Sequence, residues 1–227
     1  MVENLPYKQS LKTGALLAST AGFVDSYTFA FHNERFASFQ SGNLIQLAIN
    51  LMRGHWQAAI LFVVPIAFFL IGSALNQILK YIAVGQRIPW EELSVGVEII
   101  GLITAAILEI THTSSMLVLS VLATTLAIQA DTFSKIRNMP YATIMSTGNL
   151  KTLGATFTNG IIKHSSEDFD KARNIGLVIL AFVTGAAFAE LLGRWIGPFA
   201  LLYAPIAIGG VFVLVWQDHA VEMQKLK

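Results

Sequence analysis

The sequence predicts an all-α polytopic membrane protein with six transmembrane helices, two broken or re-entrant segments and an inverted internal repeat. Three observations lead there: composition, self-similarity at an offset of 106 residues, and a lopsided distribution of Lys and Arg. Of the 227 residues 54% are hydrophobic and 13% charged, against roughly 25% charged in ordinary soluble domains. Mean hydropathy is +0.60.

Apolar stretches of about spanning length cover roughly 13–33, 57–82, 93–111, 115–136, 174–195 and 197–217. Two weaker stretches lie near 36–53 and 140–160. Trp56, Trp90, Trp195 and Trp216 all fall at stretch ends, where an indole buries its ring and keeps its N–H among headgroups. The longest polar interruption, about 159–173, is too short for a second domain, so 1–227 reads as a single integral membrane domain. Lys8 and Lys12 precede a long first span without a clear small-residue cleavage site, which reads as a retained anchor.

The repeat runs through the weak stretches. Asp25 is followed 18 positions later by Asn43 in Ser41-Gly42-Asn43-Leu44, and Asp131 is followed 18 positions later by Asn149 in Thr147-Gly148-Asn149-Leu150. Leu47/Leu153 and Gly54/Gly160 keep the register, making six identities between 25–54 and 131–160. Gly72-Ser73-Ala74 aligns with Gly185-Ala186-Ala187 at an offset of 113, so the second copy carries an insertion around Ser165–Asp170. Repeat one covers about 13–82 and repeat two about 115–195. Such self-similarity governs architecture before any local motif does.

Lys and Arg decide between two topologies, because short cytoplasmic loops are enriched in them. If both weak stretches cross fully, eight positive residues lie inside and six outside. If both stretches dip in and return, six crossings remain. Lys8, Lys12, Lys80, Arg87, Lys135, Arg137, Lys151, Lys163, Lys171, Arg173, Lys225 and Lys227 are then inside, against Arg35, Arg53 and Arg194 outside. The second layout has the stronger bias. It places both termini in the cytoplasm and inverts the second copy relative to the first. Each re-entrant segment is expected to be two half-helices broken at Gly-Asn, since Gly breaks a helix cheaply and Asn caps the next one well. Asn138 before Pro140 starts the second segment in a familiar way. Pro65 is expected to kink its helix.

These elements resemble the bacterial YoaK-like family of multi-span membrane proteins, a family of unknown function. The resemblance covers roughly 12–217 and rests on Gly22-Phe23-Val24-Asp25, Ser41-Gly42-Asn43-Leu44, Thr147-Gly148-Asn149 and Gly185-Ala186-Ala187. It implies an integral protein of the bacterial cytoplasmic (inner) membrane and lends no substrate. Phe23 is matched by Gln129, so the halves are chemically unequal.

An intramembrane carboxylate faces a cavity, pairs, or carries a proton. Inversion brings Asp25 and Asp131 toward one central site, as coupling or substrate groups; the bland alternative is that each only holds the neighbouring broken backbone. Ser41, Gly42, Asn43, Thr147, Gly148 and Asn149 line the expected breaks, where a helix N-terminus suits an anionic or polar group; the two Asn residues are caps or direct ligands. Gln129 is a further candidate. Gln77, Glu190, Glu98 and Glu109 read as interfacial or inter-helix hydrogen-bonding groups, and Lys151 as snorkelling or neutralising Asp131.

The five His residues sit at span ends or in loops without metal-ligand spacing, and no Walker loop, nucleophile elbow or dinucleotide fingerprint occurs. No catalysis and no cofactor are expected. A net charge of +1 without a basic cluster argues against nucleic acid. The expected partners are membrane lipid and a small polar solute or ion, and the Gly/Ala-rich faces permit a homodimer. The readings left open are a secondary transporter with proton or cation coupling, a channel, and a non-transporting membrane scaffold.

Overall fold

The computed structural model describes residues 6–86, 89–137, 139–144 and 146–225, with side chains up to position 218. Arg87, Asn138 and Lys227, used in the charge count and the helix-start expectation, lie outside the described residues, as do the side chains of His219 and Lys225.

Among the described residues there are eight α-helices: α1 Leu11–Phe31, α2 Gln40–Met52, α3 Trp56–Gln86, α4 Trp90–Ile110, α5 Ser115–Thr132, α6 Ser146–Lys163, α7 Ser166–Ile196 and α8 Tyr203–Lys225. A short antiparallel ribbon, β1 Lys135–Ile136 and β2 Met139–Pro140, links α5 to α6. Single 3-10 turns, Tyr7–Gln9 and Gly197–Leu202, precede α1 and α8. Six of the helices fall on the six strong apolar stretches. By length and composition α3, α4, α5 and the α7–α8 segment Ser166–Asp218 are each apolar enough to cross a membrane. α1 carries Lys12, Asp25 and a run of hydroxyl residues and is less apolar.

Ser10 caps α1, its hydroxyl accepting from the Thr13 N–H at 3.1 Å. After Phe31 the chain turns through Asn33 and Glu34, both left-handed (φ 57° and 58°), and runs back along its own helix. Ser38 reaches the Asp25 carboxylate, six residues, or about 9 Å of helical rise, before the end of α1. α2 starts there and leads to a tight turn at Gly54 (φ 71°), from which α3 departs. The first weak stretch is therefore an extended limb followed by a helical one.

The two half-helices expected around each Gly-Asn do not form. Gly42-Asn43 and Gly148-Asn149 lie in the first turn of α2 and α6, and among the described residues no half-helix leads into either. Phe39, not Asn43, is the N-cap of α2. The physical reason is where the amides go. Asn43 Oδ1 accepts from the Phe36 N–H at 3.0 Å and its Nδ2 donates to the Phe36 carbonyl at 2.8 Å, so the amide occupies both backbone groups of a residue seven positions back. Asn149 does the same to Ala142, at 3.1 and 2.8 Å. A residue clamped this way has its only N–H committed and cannot donate to a helical ladder. In the second copy Pro140, which lacks an N–H, sits in β2. The polar insertion is likewise helical: α6 has 18 residues against 13 in α2, and only the turn at His164 and Ser165 separates it from α7.

α1 packs on α7 and α3 on α5; α2 lies on α3 and α6 on α7; α5 contacts α4, α1 contacts α8, and α4 and α8 touch each other. Exchanging α1 with α5, α2 with α6, α3 with α7 and α4 with α8 returns the same set, while the lesser packing of α3 on α4 has no comparable counterpart between α7 and α8. The two long contacts are built on glycine. A Cβ at Gly185 would collide with the Ser19 carbonyl on α1, and one at Gly72 with the Thr124 carbonyl on α5. Close approach of this kind is how helices gain contact area in lipid, where the hydrophobic effect between them is absent.

One end of the molecule gathers the start of α1, the end of α5 and the end of α8. The N–H groups of Tyr7 and Lys8 donate to the Asp218 carboxylate at 2.6 and 2.7 Å, Lys8 Nζ lies 2.7 Å from Glu91, and the Arg137 N–H donates to the Gln9 carbonyl at 2.8 Å. α1 and α5 thus run in opposite directions. Large apolar side chains such as Ile60, Leu70, Tyr81 and Val84 on α3 and Leu180, Val183 and Trp195 on α7 point outward, an outer surface suited to lipid rather than water.

Candidate functional site

Between the two extended limbs lies a cavity of about 820 Å³. Its polar lining is Asp25 and Ser26 from α1, Ser38, Gln40 and Ser41 from the first limb and the start of α2, and Ser146 and Thr147 from the start of α6. Its apolar walls include Phe29, Phe36, Phe39, Phe69 and Phe182. Four pairs in this lining are repeat counterparts: Ser38 and Ile144, Gln40 and Ser146, Ser41 and Thr147, and, at the later offset, Phe69 and Phe182. The cavity therefore takes corresponding positions from both halves.

Asp25 is 4% exposed and doubly engaged. Its Oδ1 accepts from the Ser38 N–H at 2.7 Å and its Oδ2 from the Ser38 hydroxyl at 2.6 Å. The carboxylate closes the extended limb onto α1 while one side of it borders the cavity. Position 38 is matched by Ile144, which offers no hydroxyl. Asp131 correspondingly makes no hydrogen bond or ion pair among the described residues and is exposed on the last turn of α5, away from the cavity.

Of the residues singled out from the sequence, Asp25, Ser41 and Thr147 border the cavity together. Asn43 and Asn149 follow two positions later in the same turn and serve the backbone clamps; Asn43 Nδ2 also donates to Gln40 Oε1 at 2.8 Å, fixing a cavity-lining amide. Gly42 lies against Phe36 and Phe39, where any Cβ would meet ring atoms at 2.7 to 2.8 Å. Among the described residues nothing lies within 4 Å of where a Cβ at Gly148 would sit. Gln129 is fully buried elsewhere, between α5 and α1, its Nε2 donating to the Leu17 carbonyl at 3.2 Å. Lys151 is exposed and forms no ion pair with Asp131. Glu190 pairs with Arg194 one turn on, and Gln77 is exposed.

A second polar cluster ties the return turn to α4. Glu109 accepts from the Tyr27 hydroxyl at 2.9 Å and lies 3.3 Å from His32 Nε2, while Arg35 Nε donates to the His32 carbonyl at 2.8 Å. This holds the start of the first limb in place, so the position of Ser38 depends on both ends of that limb.

Residues 13–215 match a protein family described as "Protein of unknown function (DUF1275)". The chain belongs to that family. No curated protein and no solved structure matches the chain. Family membership thus extends over all eight helices and assigns no activity, and function has to be argued from the cavity itself.

Sequence reasoning missed Ser26, Ser38, Gln40, Ser146 and the aromatic walls. The signal for Gln40 and Ser146 was available, since each directly precedes a motif already recognised. Ser38 had none, because its repeat partner is an isoleucine.

Proposed function

We propose that this DUF1275 protein, which resembles YoaK-like proteins, is a secondary transporter of the bacterial inner membrane, built as an inverted repeat with six crossings and both termini cytoplasmic. The central cavity is its solute site. The observation that supports this most is that both re-entrant limbs contribute matching positions to one polar pocket, as in transporter folds whose irregular backbone meets at the repeat interface. The antiparallel course of α1 and α5 and the exchangeable packing pattern support the inversion. Irregular backbone at membrane depth is tolerated where protein buries it or a cavity borders it, and here Asp25 and the two Asn clamps satisfy it.

The lining selects the solute class. Five hydroxyl or amide side chains, Ser26, Gln40, Ser41, Ser146 and Thr147, offer both donors and acceptors. Phenyl faces surround them, and an aromatic wall beside a carboxylate accommodates a cationic group. A small solute with an apolar body and a hydroxyl, amide or ammonium group fits best.

The engagement of both Asp25 oxygens by Ser38 favours a second reading, a membrane scaffold in which the acid only cements the limb. Uptake assays in proteoliposomes over a panel of small polar solutes separate the readings. Saturable uptake with counterflow, abolished by filling the cavity with Ser41→Phe or Thr147→Phe while the unfolding temperature is retained, is the expected result. Flux without saturation indicates a channel. Absence of any flux, with Asp25→Asn lowering only thermal stability, indicates a scaffold.

A further inference from the structure

α4 carries Glu91, Glu98 and Glu109 at spacings of 7 and 11 residues, close to whole numbers of turns at about 3.6 residues per turn. They therefore form one stripe along the helix. The two at its ends are partnered, Glu91 by Lys8 at 2.7 Å and Glu109 by Tyr27 and His32 at 2.9 and 3.3 Å. The middle one is not. Glu98 is 1% exposed, and among the described residues it makes no hydrogen bond and no ion pair.

Its surroundings are polar but leave it unanswered. Ser94, one turn earlier on α4, donates to Asn76 Oδ1 at 3.2 Å, and the Asn76 Nδ2 is buried without an acceptor. The Tyr141 hydroxyl, on the second extended limb, lies beside Gly14 on α1 and is in electrostatic reach of Glu98. α3, α5, α8 and the Gly197–Leu202 turn all pack on α4, and among the described residues none brings a charged group to Glu98. A lone ionised carboxylate in this setting is strongly disfavoured, and membrane proteins retain such a group where it takes up a proton, a partner or an ion. Among the described residues no charged group stands beside it to serve as a counter-ion.

We propose that Glu98 is an intramembrane proton-binding site, outside the solute cavity, which takes up and releases one proton as α4 shifts its buried face between the two membrane surfaces. The partnered carboxylates mark the two exits, about 10 Å toward the Lys8 end and about 16 Å toward the His32 end by helical rise. Tyr141, in electrostatic reach of Glu98, stands in the limb ahead of Ser146 and Thr147. The site rests on the transporter reading for its purpose, since it supplies the coupling, while proton binding itself can be measured without a solute.

The experiment is infrared difference spectroscopy on the full-length protein in lipid bilayers, stepped in pH in H2O and D2O. A protonated-carboxyl C=O band that titrates reversibly, shifts in D2O and is lost in Glu98→Gln is the expected result. Glu98→Asp, which keeps the carboxyl group and moves the band instead of deleting it, serves if Glu98→Gln does not fold. A Glu98 band that stays constant at every pH where the protein is folded makes the residue a permanently neutral structural acid and overturns the proposal. So does the absence of any band altered by either variant. A titrating Glu98 in a protein that moves no solute would instead sink the transporter reading and leave the proton site standing.

Discussion

At the residue scale the two asparagine clamps carry the extended limbs. Removing the amide leaves a backbone N–H and C=O unpaired at Phe36 or Ala142, and an unsatisfied buried polar group costs about 1 to 3 kcal/mol. Asn43→Ala and Asn149→Ala should each lower the unfolding temperature in detergent. Asn43→Asp, which keeps the acceptor and loses the donors to Phe36 and Gln40, should fall between; equal loss for Asp and Ala would mean that only the donor side matters. Ser38 is the asymmetric element. Ser38→Ala removes the hydroxyl from Asp25, a hydrogen bond to a charged group worth about 1.5 to 3 kcal/mol. The same assay should register it clearly, and Ile144→Ser at the matched position should not create the missing bond, because Asp131 is not within its reach; it should destabilise as well, by giving up the burial of an isoleucine only 6% exposed. The sequence marked Asn43 and Asn149 through their spacing but misassigned their role. A capping asparagine and one that clamps a residue seven positions back read alike in one dimension, and only the turn at Asn33 and Glu34 brings Phe36 to the amide.

At the level of the elements, hydropathy located six long helices, because a lipid-facing helix must be apolar along its whole length. The limbs were only half legible. Their polar composition marked a departure from a plain span, but an extended limb and a half-helix demand similar residues when each backbone group is satisfied by a side chain. The β1–β2 ribbon was hidden by Asn138 and Pro140, which read equally well as a helix start. Glycine at the helix contacts makes the sharpest prediction at this scale. A Cβ at Gly185 or Gly72 meets a backbone carbonyl of the facing helix, which cannot rotate away. Gly185→Ala and Gly72→Ala should destabilise by about 1 to 3 kcal/mol through overpacking. Gly96, in α4, has nothing within 4 Å of its virtual Cβ, so Gly96→Ala should be neutral or stabilising by up to about 1 kcal/mol through helix propensity. Thermal denaturation of the three variants side by side tests this, and a Gly185→Ala variant as stable as Gly96→Ala would show that α1 and α7 do not pack as closely as described.

For the whole molecule, the decisive feature is that each repeat lends its last helix to the other. α3 lies on α5 and α7 on α1, and the layout this gives can be read from outside the membrane. The chain has no cysteine, so single substitutions report side directly. His55→Cys and Thr111→Cys, at turns on one end, should react with an impermeant maleimide added outside intact cells, and Lys8→Cys and His164→Cys only after permeabilisation. The exchange also bears on how the chain folds. With α3 removed, α5 loses the partner that meets it at Gly72, and with α7 removed, α1 loses the one that meets it at Gly185. Neither repeat can then bury the face of its first helix that the other repeat's glycine approaches, and a polar-bearing α1 without α7 exposes Ser19 and the Asp25 limb to lipid at a cost no propensity offsets. Cutting the chain in the exposed turn between α4 and α5, next to His112 (φ 53°), separates the two halves without touching either long contact. Fragments 1–112 and 113–227 expressed singly should be degraded or aggregate, and co-expressed they should co-purify as one complex with the melting behaviour of the intact chain. A first fragment that is stable and monodisperse on its own would mean that α1 and α3 can close on each other, and the interlock would then not be what holds the central cavity together.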